Sequence, residues 1–353
     1  MESIYYVLTW ACHRRCKHCY DTRFKPYVRD GLEEVLSESD THFRKVIANL
    51  PDTMLYKDPK HLGADGEPET RIGRIILAGG EVLIEPVRER LFYPALDAVN
   101  EKYGSKGARL SIQTTGDLVT PKIIDEMLER NVWMIAIAGM DDFHVGMEGD
   151  KRLPLVEKLT TMFEAAGIQA VPDRASGRDH LTEDGPFYFF FGAQPEQWIG
   201  ELWPRGRAWE NSLSQATMET NFCARQSGGQ NFLNHGLAGS EVAIEPDGSV
   251  YPCCLKTKVP IGNVAEEPLT EILDSLKGHP VFEALNEGAP DRMGLQHGWS
   301  KERFFDASHT QLPNGEPFAN LCIGCDKFHD EIMEPVIRDL TAERRSKRFQ
   351  SAS

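Results

Sequence analysis

Short apolar runs alternate with longer amphipathic segments over the first 192 residues of the chain. Six of these runs have the length and the β-branched or aromatic content of strands. They are Ile4–Leu8, Arg74–Ala78, Arg109–Thr114, Trp133–Ala138, Ile168–Val171 and Phe187–Phe191. Because strands that alternate with helices form parallel sheets, the pattern predicts six βα units.

The segments between the strands carry apolar residues spaced by three and four, as one buried helical face requires. Examples are Leu32–Leu50, Leu91–Val99 and Ile123–Met127. Thr120-Pro121 predicts an N-cap followed by proline at the first helical position. Residues 51–73 contain three prolines, which predicts an insertion or loop, with a lid as one interpretation.

The pattern changes in the C-terminal part of the chain. Val242-Ala243-Ile244 and Val250-Tyr251 flank the turn Asp247-Gly248, which predicts a β-hairpin. A helical apolar face follows at Leu269–Leu276. We therefore expect a second, smaller domain.

Composition bounds the class of protein. The 353 residues, 41% hydrophobic and 26% charged, are typical of a globular chain. The longest apolar run, Val132–Met140, has nine residues, against the roughly 20 that span a bilayer. The first residues carry no signal peptide pattern. We expect a cytoplasmic protein with reduced thiols and no membrane partner.

The net charge of −15 argues against a nucleic-acid surface, which needs clustered Lys and Arg. Only Arg344–Arg348 is locally basic. We interpret that stretch as a solvated helix end followed by a frayed terminus.

The eight cysteines are clustered. Three follow the first strand and five lie in the last third: Cys12, Cys16 and Cys19, then Cys223, Cys253, Cys254, Cys322 and Cys325. Closed zinc and complete iron–sulfur sites take four protein ligands. Three cysteines therefore leave a metal position open, which is typical of a catalytic site. Taken alone, the spacing also allows zinc or an ordinary ferredoxin-type cluster.

The pattern Cys12-x3-Cys16-x2-Cys19 resembles the signature of the radical S-adenosylmethionine (SAM) superfamily. In that family three cysteines hold a [4Fe–4S] cluster, and SAM chelates the fourth iron. Gly79-Gly80-Glu81, after the second strand, resembles the family's motif for the SAM ammonium group. Gln113-Thr114-Thr115 resembles its third strand end, which lines the SAM pocket. The resemblance implies cofactor contacts from these residues and from His18.

The chain departs from the family's pattern at three places. Val82 stands where proline is frequent after Gly-Gly-Glu. Residues 136–139, Ala-Ile-Ala-Gly, replace the polar residues that relatives often place near the SAM ribose. Arg152 matches a SAM-carboxylate arginine only weakly, because the intervening spacing differs.

The segment from Pro246 to Cys253, followed by Ile261-Gly262-Asn263-Val264, resembles a SPASM or twitch auxiliary-cluster domain. The resemblance implies one auxiliary [4Fe–4S] cluster, because too few cysteines remain for two. Its ligands would be Cys223, Cys253, Cys322 and Cys325, with Cys254 as an alternative to Cys253. A zinc site that holds the domain closed is the other interpretation.

The resemblance implies an α/β fold: a partial (β/α)6 TIM-like barrel, then a small α+β auxiliary-cluster domain. We assign residues 1–215 to the barrel, 216–335 to the second domain and 336–353 to a C-terminal helix end and basic tail. It also implies an enzyme of oxidoreductase or lyase type that cleaves SAM reductively to a 5′-deoxyadenosyl radical. A flavodoxin- or ferredoxin-type protein would supply the electron.

The substrate pocket is predicted from strand ends. Asp141, Asp142 and His144 follow the fourth strand and are candidate acid–base residues. Arg205-Gly206-Arg207-Ala208 resembles a Gly-Arg-Ala segment of the family, and Arg205 and Arg207 are candidates for binding an anionic substrate group. Alternatively, the two aspartates cap a loop, His144 lies at the surface, and the two arginines are solvated after a turn.

Three functions stay open. We favour hydrogen abstraction from a small molecule such as a sugar, an aminocyclitol or a nucleoside. Modification of a ribosomally made peptide is the alternative, although the signature at residue 12 leaves no room for a preceding peptide-recognition domain. A non-catalytic iron–sulfur or zinc-stabilised binding protein is the remote alternative.

Overall fold

The computed structural model describes residues 1–171, 184–193, 202–225 and 231–351. The strands of the described residues are β1 (Ser3–Val7), β2 (Leu55–Leu62), β3 (Pro68–Ile72), β4 (Arg74–Ala78), β5 (Arg109–Thr114), β6 (Val132–Ala138), β7 (Gln169–Ala170), β8 (Phe187–Phe191), β9 (Glu241–Ile244), β10 (Ser249–Tyr251), β11 (Gly262–Asn263), β12 (His309–Gln311) and β13 (Pro317–Ala319).

The helices are α1 (Asp30–Ala48), α2 (Glu85–Val87), α3 (Tyr93–Tyr103), α4 (Pro121–Glu129), α5 (Leu153–Ala165), α6 (Gly206–Glu210), α7 (Phe222–Arg225), α8 (Leu269–Asp274), α9 (Pro280–Asn286), α10 (Lys301–Ala307), α11 (Leu321–Phe328) and α12 (Glu334–Ser351). A π-helical turn at Arg88–Phe92 joins α2 to α3, and another at His329–Met333 joins α11 to α12. None of the described helices is both long enough and apolar enough to cross a membrane.

A nine-stranded sheet organises the chain, in the order β11-β10-β9-β1-β4-β5-β6-β8-β7. The six strands predicted from the sequence are β1, β4, β5, β6, β7 and β8, and all of them run parallel to their neighbours within this sheet. The mixed α/β fold with a mostly parallel sheet is therefore confirmed. Over the described residues the sheet stays open and does not close into a barrel.

The order of the last two parallel strands differs from their order in the chain. β8 pairs with β6 over five residues and lies inside, whereas β7 has two exposed residues and forms the edge. The aromatic sequence of β8, Phe-Tyr-Phe-Phe-Phe, favours a central position because it buries more apolar surface there. A short, exposed strand suits a sheet edge.

The predicted insertion at residues 51–73 forms a hairpin of β2 and β3. It packs at the amino ends of β1 and β4, where Gly73 N donates to Met54 O at 2.7 Å and the Met1 amino group donates to Leu55 O at 3.1 Å. The hairpin therefore lies away from the carboxyl ends of the strands, and the interpretation as a lid over that end is wrong.

The helix cap, the buried helical face and the β-hairpin predicted from the sequence are confirmed. The side chain of Thr120 caps α4 by accepting from Ile123 N at 3.3 Å, with Pro121 as the first helical residue. The apolar face of α1 is buried through Val35, Phe43 and Val46. The hairpin of β9 and β10 is also confirmed.

The C-terminal part of the chain continues the main sheet. β9 runs parallel to β1, with Ser3 opposite Glu241 and Tyr6 opposite Ile244. The second domain therefore shares its backbone hydrogen bonds with the first, although the boundary assigned at residue 216 stays a prediction. Its hairpin carries the chain back beside the loop that follows β1.

The expectation of a basic C-terminal tail is wrong for Arg344, because α12 continues through it and buries it. The Arg344 guanidinium forms a two-fold ion pair with Glu267, at 2.8 and 2.6 Å, with both side chains under 5% exposed. It also donates to Ser275 Oγ at 2.9 Å. Its neighbour Arg345 pairs with Glu266 at the surface, where both side chains are more than half exposed.

We expect Arg344→Met to lower the free energy of unfolding by about 3–5 kcal/mol, because it leaves the Glu267 carboxylate buried without a partner. Arg345→Met is the matched control and should change it by less than about 1 kcal/mol. Denaturant unfolding of both variants measures the difference. The double variant Arg344→Met/Glu267→Leu should recover most of the loss, and equal losses in the two single variants would refute the assignment.

Candidate active site

The carboxyl ends of β1, β4, β5 and β6 border one cavity of about 1060 Å³, part of it open to solvent. The cavity brings together predicted residues from separate parts of the chain: Cys12, Cys16, His18, Cys19, Gly79, Gly80, Gln113, Thr114, Thr115, His144 and Arg207. We call it the first cavity.

The three thiols reach this cavity because Arg207 fixes the loop that carries them. Its guanidinium is 5% exposed and donates to the carbonyls of Cys16 at 2.8 Å, Thr22 at 3.1 Å and Phe24 at 2.7 Å. Gly206 allows the close approach, since a Cβ there would lie 2.4 Å from the Tyr20 carbonyl carbon. Arg207 is therefore a positioning residue of the loop, and its donors are directed at backbone rather than at a substrate anion.

Asp117, which the sequence reasoning missed, holds the other side of the same loop. Its carboxylate lies 2.8 Å from His13 Nε2 and accepts from Arg14 Nη2 at 2.8 Å. Burial alone would raise the pKa of Asp117, but hydrogen bonds from His13, Thr115 and Arg14 lower it below the usual range. Its place three residues after Thr114, at the end of β5, was the only signal in the sequence.

The two glycines after β4 are required by packing against the cysteine loop. A Cβ on Gly79 would lie 2.8 Å from Thr9 O, and one on Gly80 would lie 2.3 Å from Ala11 O. Both distances are shorter than contact allows. Gly80 N in turn donates to Thr9 O at 3.0 Å. The glycines therefore set the spacing between β4 and the thiols.

Glu81 lies beneath the first cavity and is 1% exposed. Its carboxylate accepts from Thr114 Oγ1 at 2.8 Å, Thr115 N at 2.8 Å and Leu83 N at 3.0 Å. These bonds join the ends of β4 and β5. Both carboxylate oxygens thus accept hydrogen bonds from protein groups. The contact of Glu81 with SAM stays a prediction.

His18, Asp141 and His144 converge at the wall formed by the end of β6, with one ligand-type atom of each within 4.8 Å of the others. Asp141 accepts from His144 Nδ1 at 2.8 Å, and from the backbone N–H groups of Phe143, His144 and Ala193. Burial and the nearby His144 lower the pKa of His18 to about 4. His18 is therefore neutral, and Asp141 orients His144.

Asp142 and Arg152 lie outside the cavity lining formed by the described residues. They pair with each other at 3.0 Å, and the Asp142 side chain is 68% exposed. Asp142 also caps the backbone at Gly149. The structure therefore contradicts a catalytic role for Asp142 and a cofactor role for Arg152, because a solvated ion pair directs neither group at the site.

A second cavity collects the four other predicted cysteine ligands, Cys223, Cys253, Cys322 and Cys325. Arg205 lines it as well, pairing with Asp326 at 2.8 Å and donating to Leu255 O at 3.2 Å. The structure therefore contradicts Arg205 as a substrate residue of the first cavity. Cys254 does not line this second cavity among the described residues; it lines the first.

Asn320, another residue missed from the sequence, assembles the second cavity. Its side chain caps α11 by accepting from Cys322 N at 2.9 Å. Its amide donates to Thr217 O at 2.7 Å and Thr220 O at 3.1 Å, just before Cys223. One fully buried amide thus joins two cysteine-bearing segments.

The two sets of thiols fit iron–sulfur clusters in number and in kind. All eight cysteines are free of disulfides. Burial raises the pKa of Cys12 and of Cys322 to about 12, so both stay protonated until a bound cation compensates the thiolate charge. The three thiols of the loop after β1 leave an iron position open, and the four in the second cavity can close a cluster. Cys254 is a fourth thiol in the lining of the first cavity, but it comes from the C-terminal segment.

Residues 237–288 match the family model SPASM, described as an iron-sulfur cluster-binding domain. The chain contains a SPASM iron–sulfur domain. The match covers the hairpin of β9 and β10, α8 and α9, and includes Cys253 and Cys254. It supports iron–sulfur over zinc in the second cavity. It also confirms the resemblance of the segment around Cys253 to an auxiliary-cluster domain.

Solved structures show weaker likeness. BtrN in complex with AdoMet and 2-DOIA is 14% identical, with a TM-score of 0.41 over 85% of this chain and 92% of that one. SuiB of Streptococcus suis bound to S-adenosylmethionine is 10% identical, with a TM-score of 0.39 over 80% and 67%. Comparison with curated protein sequences gives no match. Likeness at this level transfers no substrate to this chain.

We expect Arg207→Ala to remove most of the iron bound at the first cavity, because three loop carbonyls lose their donor. The free energy of unfolding should fall by about 3 kcal/mol. Iron and sulfide analysis after anaerobic reconstitution, with denaturant unfolding, measures both effects. Arg152→Ala, which breaks an exposed pair, is the control, and equal iron contents in the two variants would contradict the positioning role.

Proposed function

We propose that this chain is a radical SAM enzyme that abstracts a hydrogen atom from a small-molecule substrate. The carrying observation is that one cavity holds the three thiols of the loop after β1 together with the ends of β4 and β5. Three thiols and an adjacent polar strand end suit a cluster with one open iron and a ligand that completes it.

Each wall of the first cavity then has a role. Cys12, Cys16 and Cys19 would hold the cluster, which when bound supplies the electron that cleaves SAM to methionine and a 5′-deoxyadenosyl radical. Gly79 and Gly80 let the cysteine loop pack closely against the end of β4, which would bring the cluster beside the cofactor. Gln113 offers its side-chain N–H groups to the cofactor, since its Oε1 accepts from Tyr5 Oη at 2.9 Å. Thr114 and Thr115 would line the pocket, with the Thr115 hydroxyl donated to Glu81 and Asp117. A one-electron carrier of ferredoxin or flavodoxin type would reduce the protein.

The remaining wall of the first cavity is largely aromatic, and the substrate would contact it. Tyr5, Tyr20, Phe24 and Trp203 line it. Aromatic rings with few charged groups suit a compact substrate such as a sugar, an aminocyclitol or a nucleoside.

His144 is the proton acceptor of this proposal. It lines the first cavity, and Asp141 fixes its ring through Nδ1, which leaves Nε2 as the basic nitrogen. Burial would raise the pKa of Asp141, but hydrogen bonds from His144 and Ala193 hold it below its usual range. The carboxylate is therefore ionised and fixes the orientation of the His144 ring.

The first test is anaerobic reconstitution followed by incubation with SAM and dithionite. We expect about eight irons per chain, four for each [4Fe–4S] cluster, and formation of 5′-deoxyadenosine. Cys16→Ala should halve the iron and abolish deoxyadenosine. Cys322→Ala should also lower the iron but keep SAM cleavage, because its thiol lies in the second cavity.

A reconstituted protein that holds iron in both cavities but releases no deoxyadenosine would overturn the proposed function. Half the iron together with one zinc per chain would instead show that the second cavity is a structural site. Both results are read from the same preparation by metal analysis and chromatography.

The substrate class is tested by stimulation of deoxyadenosine formation. A panel of sugars, aminocyclitols and nucleosides should contain an activator, whereas short peptides should not activate. With that activator, His144→Gln should keep deoxyadenosine formation but lower product yield about 10²-fold or more. Asp142→Asn is the matched control because its carboxylate is solvated. Stimulation by peptides alone would favour the peptide-modifying alternative.

A further inference from the structure

One histidine in the C-terminal part of the chain is buried while neither of its ring nitrogens is hydrogen-bonded. His329 is 1% exposed, and Nδ1 and Nε2 both lack a partner within the described part of the chain. A buried polar atom without a partner costs stability, and such atoms are rare in folded proteins. His329 therefore suits a site where a bound group completes its hydrogen bonding.

The position of His329 relative to the cysteines is set by α11. Cys322, Cys325 and His329 are spaced by three and four residues, and His329 keeps helical backbone angles, with φ −63° and ψ −43°. The three side chains therefore share one face of the helix. Helical side chains also lean toward the N-terminal end of their helix, which directs the imidazole over Cys325. Because both cysteines line the second cavity, the ring lies beside the four-cysteine site.

Arg205 places His329 at this site independently of the helix geometry. Arg205 lines the second cavity. Burial, together with the charge of Arg205, lowers the pKa of His329 to about 3. The imidazole is therefore neutral and carries one N–H donor. A neutral donor can approach a sulfur atom without bringing a second cation beside the arginine.

Packing alone does not explain a histidine at this position. The ring lies 6.1 Å from that of Phe328, its neighbour in the chain. A phenylalanine at position 329 would fill the space without leaving two polar atoms unpaired. The helix also changes here from α to π, in the turn His329–Met333. Such turns are rare and occur frequently at functional sites.

We propose that His329 donates its N–H to a sulfur of the auxiliary [4Fe–4S] cluster in the second cavity and thereby raises the reduction potential of that cluster. A hydrogen bond to sulfur stabilises the added negative charge of the reduced cluster. The four thiols of this cavity suffice as ligands, so His329 acts on the cluster without binding iron. The inference concerns the second cavity and goes beyond the reaction proposed for the first.

The test uses full-length Cys16→Ala protein, reconstituted anaerobically, so that the auxiliary cluster is observed by itself. A potentiometric titration followed by EPR gives its reduction potential without SAM or substrate. In His329→Phe the ratio of reduced to oxidised cluster at a fixed potential should fall about tenfold, a shift of about 59 mV to lower potential for one electron. His329→Gln keeps an N–H donor and should stay within about twofold of the parent. His309→Phe, which removes an exposed histidine, is the matched control and should leave the potential unchanged.

Pulsed EPR of the same protein with ¹⁵N-labelled histidine tests the contact directly and needs no stable variant. We expect a weak nitrogen coupling to the reduced cluster, and this coupling should be lost in His329→Phe. A strong coupling, typical of nitrogen bound to iron, would show that His329 is a ligand and would overturn the inference. No coupling at all would overturn it as well.

Three further results count against the hydrogen bond. Equal potentials in the parent and in His329→Phe would show that the imidazole does not act on the cluster. Equal shifts in His329→Phe and His329→Gln would show that the N–H is not the cause. Loss of iron in His329→Phe, or zinc in the second cavity of the parent, would make the residue structural. Each of these results leaves the proposed function standing, because that is judged by deoxyadenosine formation in the wild type.

Discussion

Three backbone carbonyls of the cysteine loop depend on one buried guanidinium, that of Arg207. The loop has little regular secondary structure, so its buried carbonyls lack the partners that a helix or strand would give them. Arg207 supplies them from 183 to 191 residues away. Without this clamp the three thiols would have no fixed relation to the strand ends, and no open metal position would form beside the SAM-type motifs.

Ion pairs also fasten the loop to the C-terminal segment; Asp21, Glu245 and Lys256 are largely buried, and Arg23 is 45% exposed. Arg23 pairs with Glu245 at 2.6 Å, and Lys256 pairs with Glu245 at 2.7 Å and with Asp21 at 3.0 Å. Alternating signs in one cluster offset the cost of removing these groups from water. The Arg23 guanidinium also stacks over Trp10 at 3.7 Å. The second segment is therefore held against the first cavity, with Cys253 and Cys254 between the two cavities.

Two short segments, residues 205–207 and 253–254, direct neighbouring side chains toward different cavities. Arg205 turns to the four-cysteine cavity and Arg207 to the loop, with Gly206 between them at a positive φ of 53°. Cys253 and Cys254 divide in the same manner. Such alternation lets two short stretches of chain serve two sites, and it places a free thiol where substrate chemistry is proposed. It also explains why the two candidate arginines, similar in sequence, have different roles.

The sequence by itself determined the features that depend on neighbouring residues. The bounds of β4, β5 and β8, the cap at Thr120 and the two groups of cysteines follow from periodicity, capping chemistry and ligand spacing, which are local. Only the tertiary structure decided the edge position of β7, the burial of Arg344, the anchoring role of Asp117, the placement of Arg205 and the cavity that Cys254 faces. Each of these depends on a partner far away in the chain, such as Glu267 for Arg344, 77 residues apart. Burial and pairing are set by what packs opposite a side chain, and a linear pattern does not contain that information.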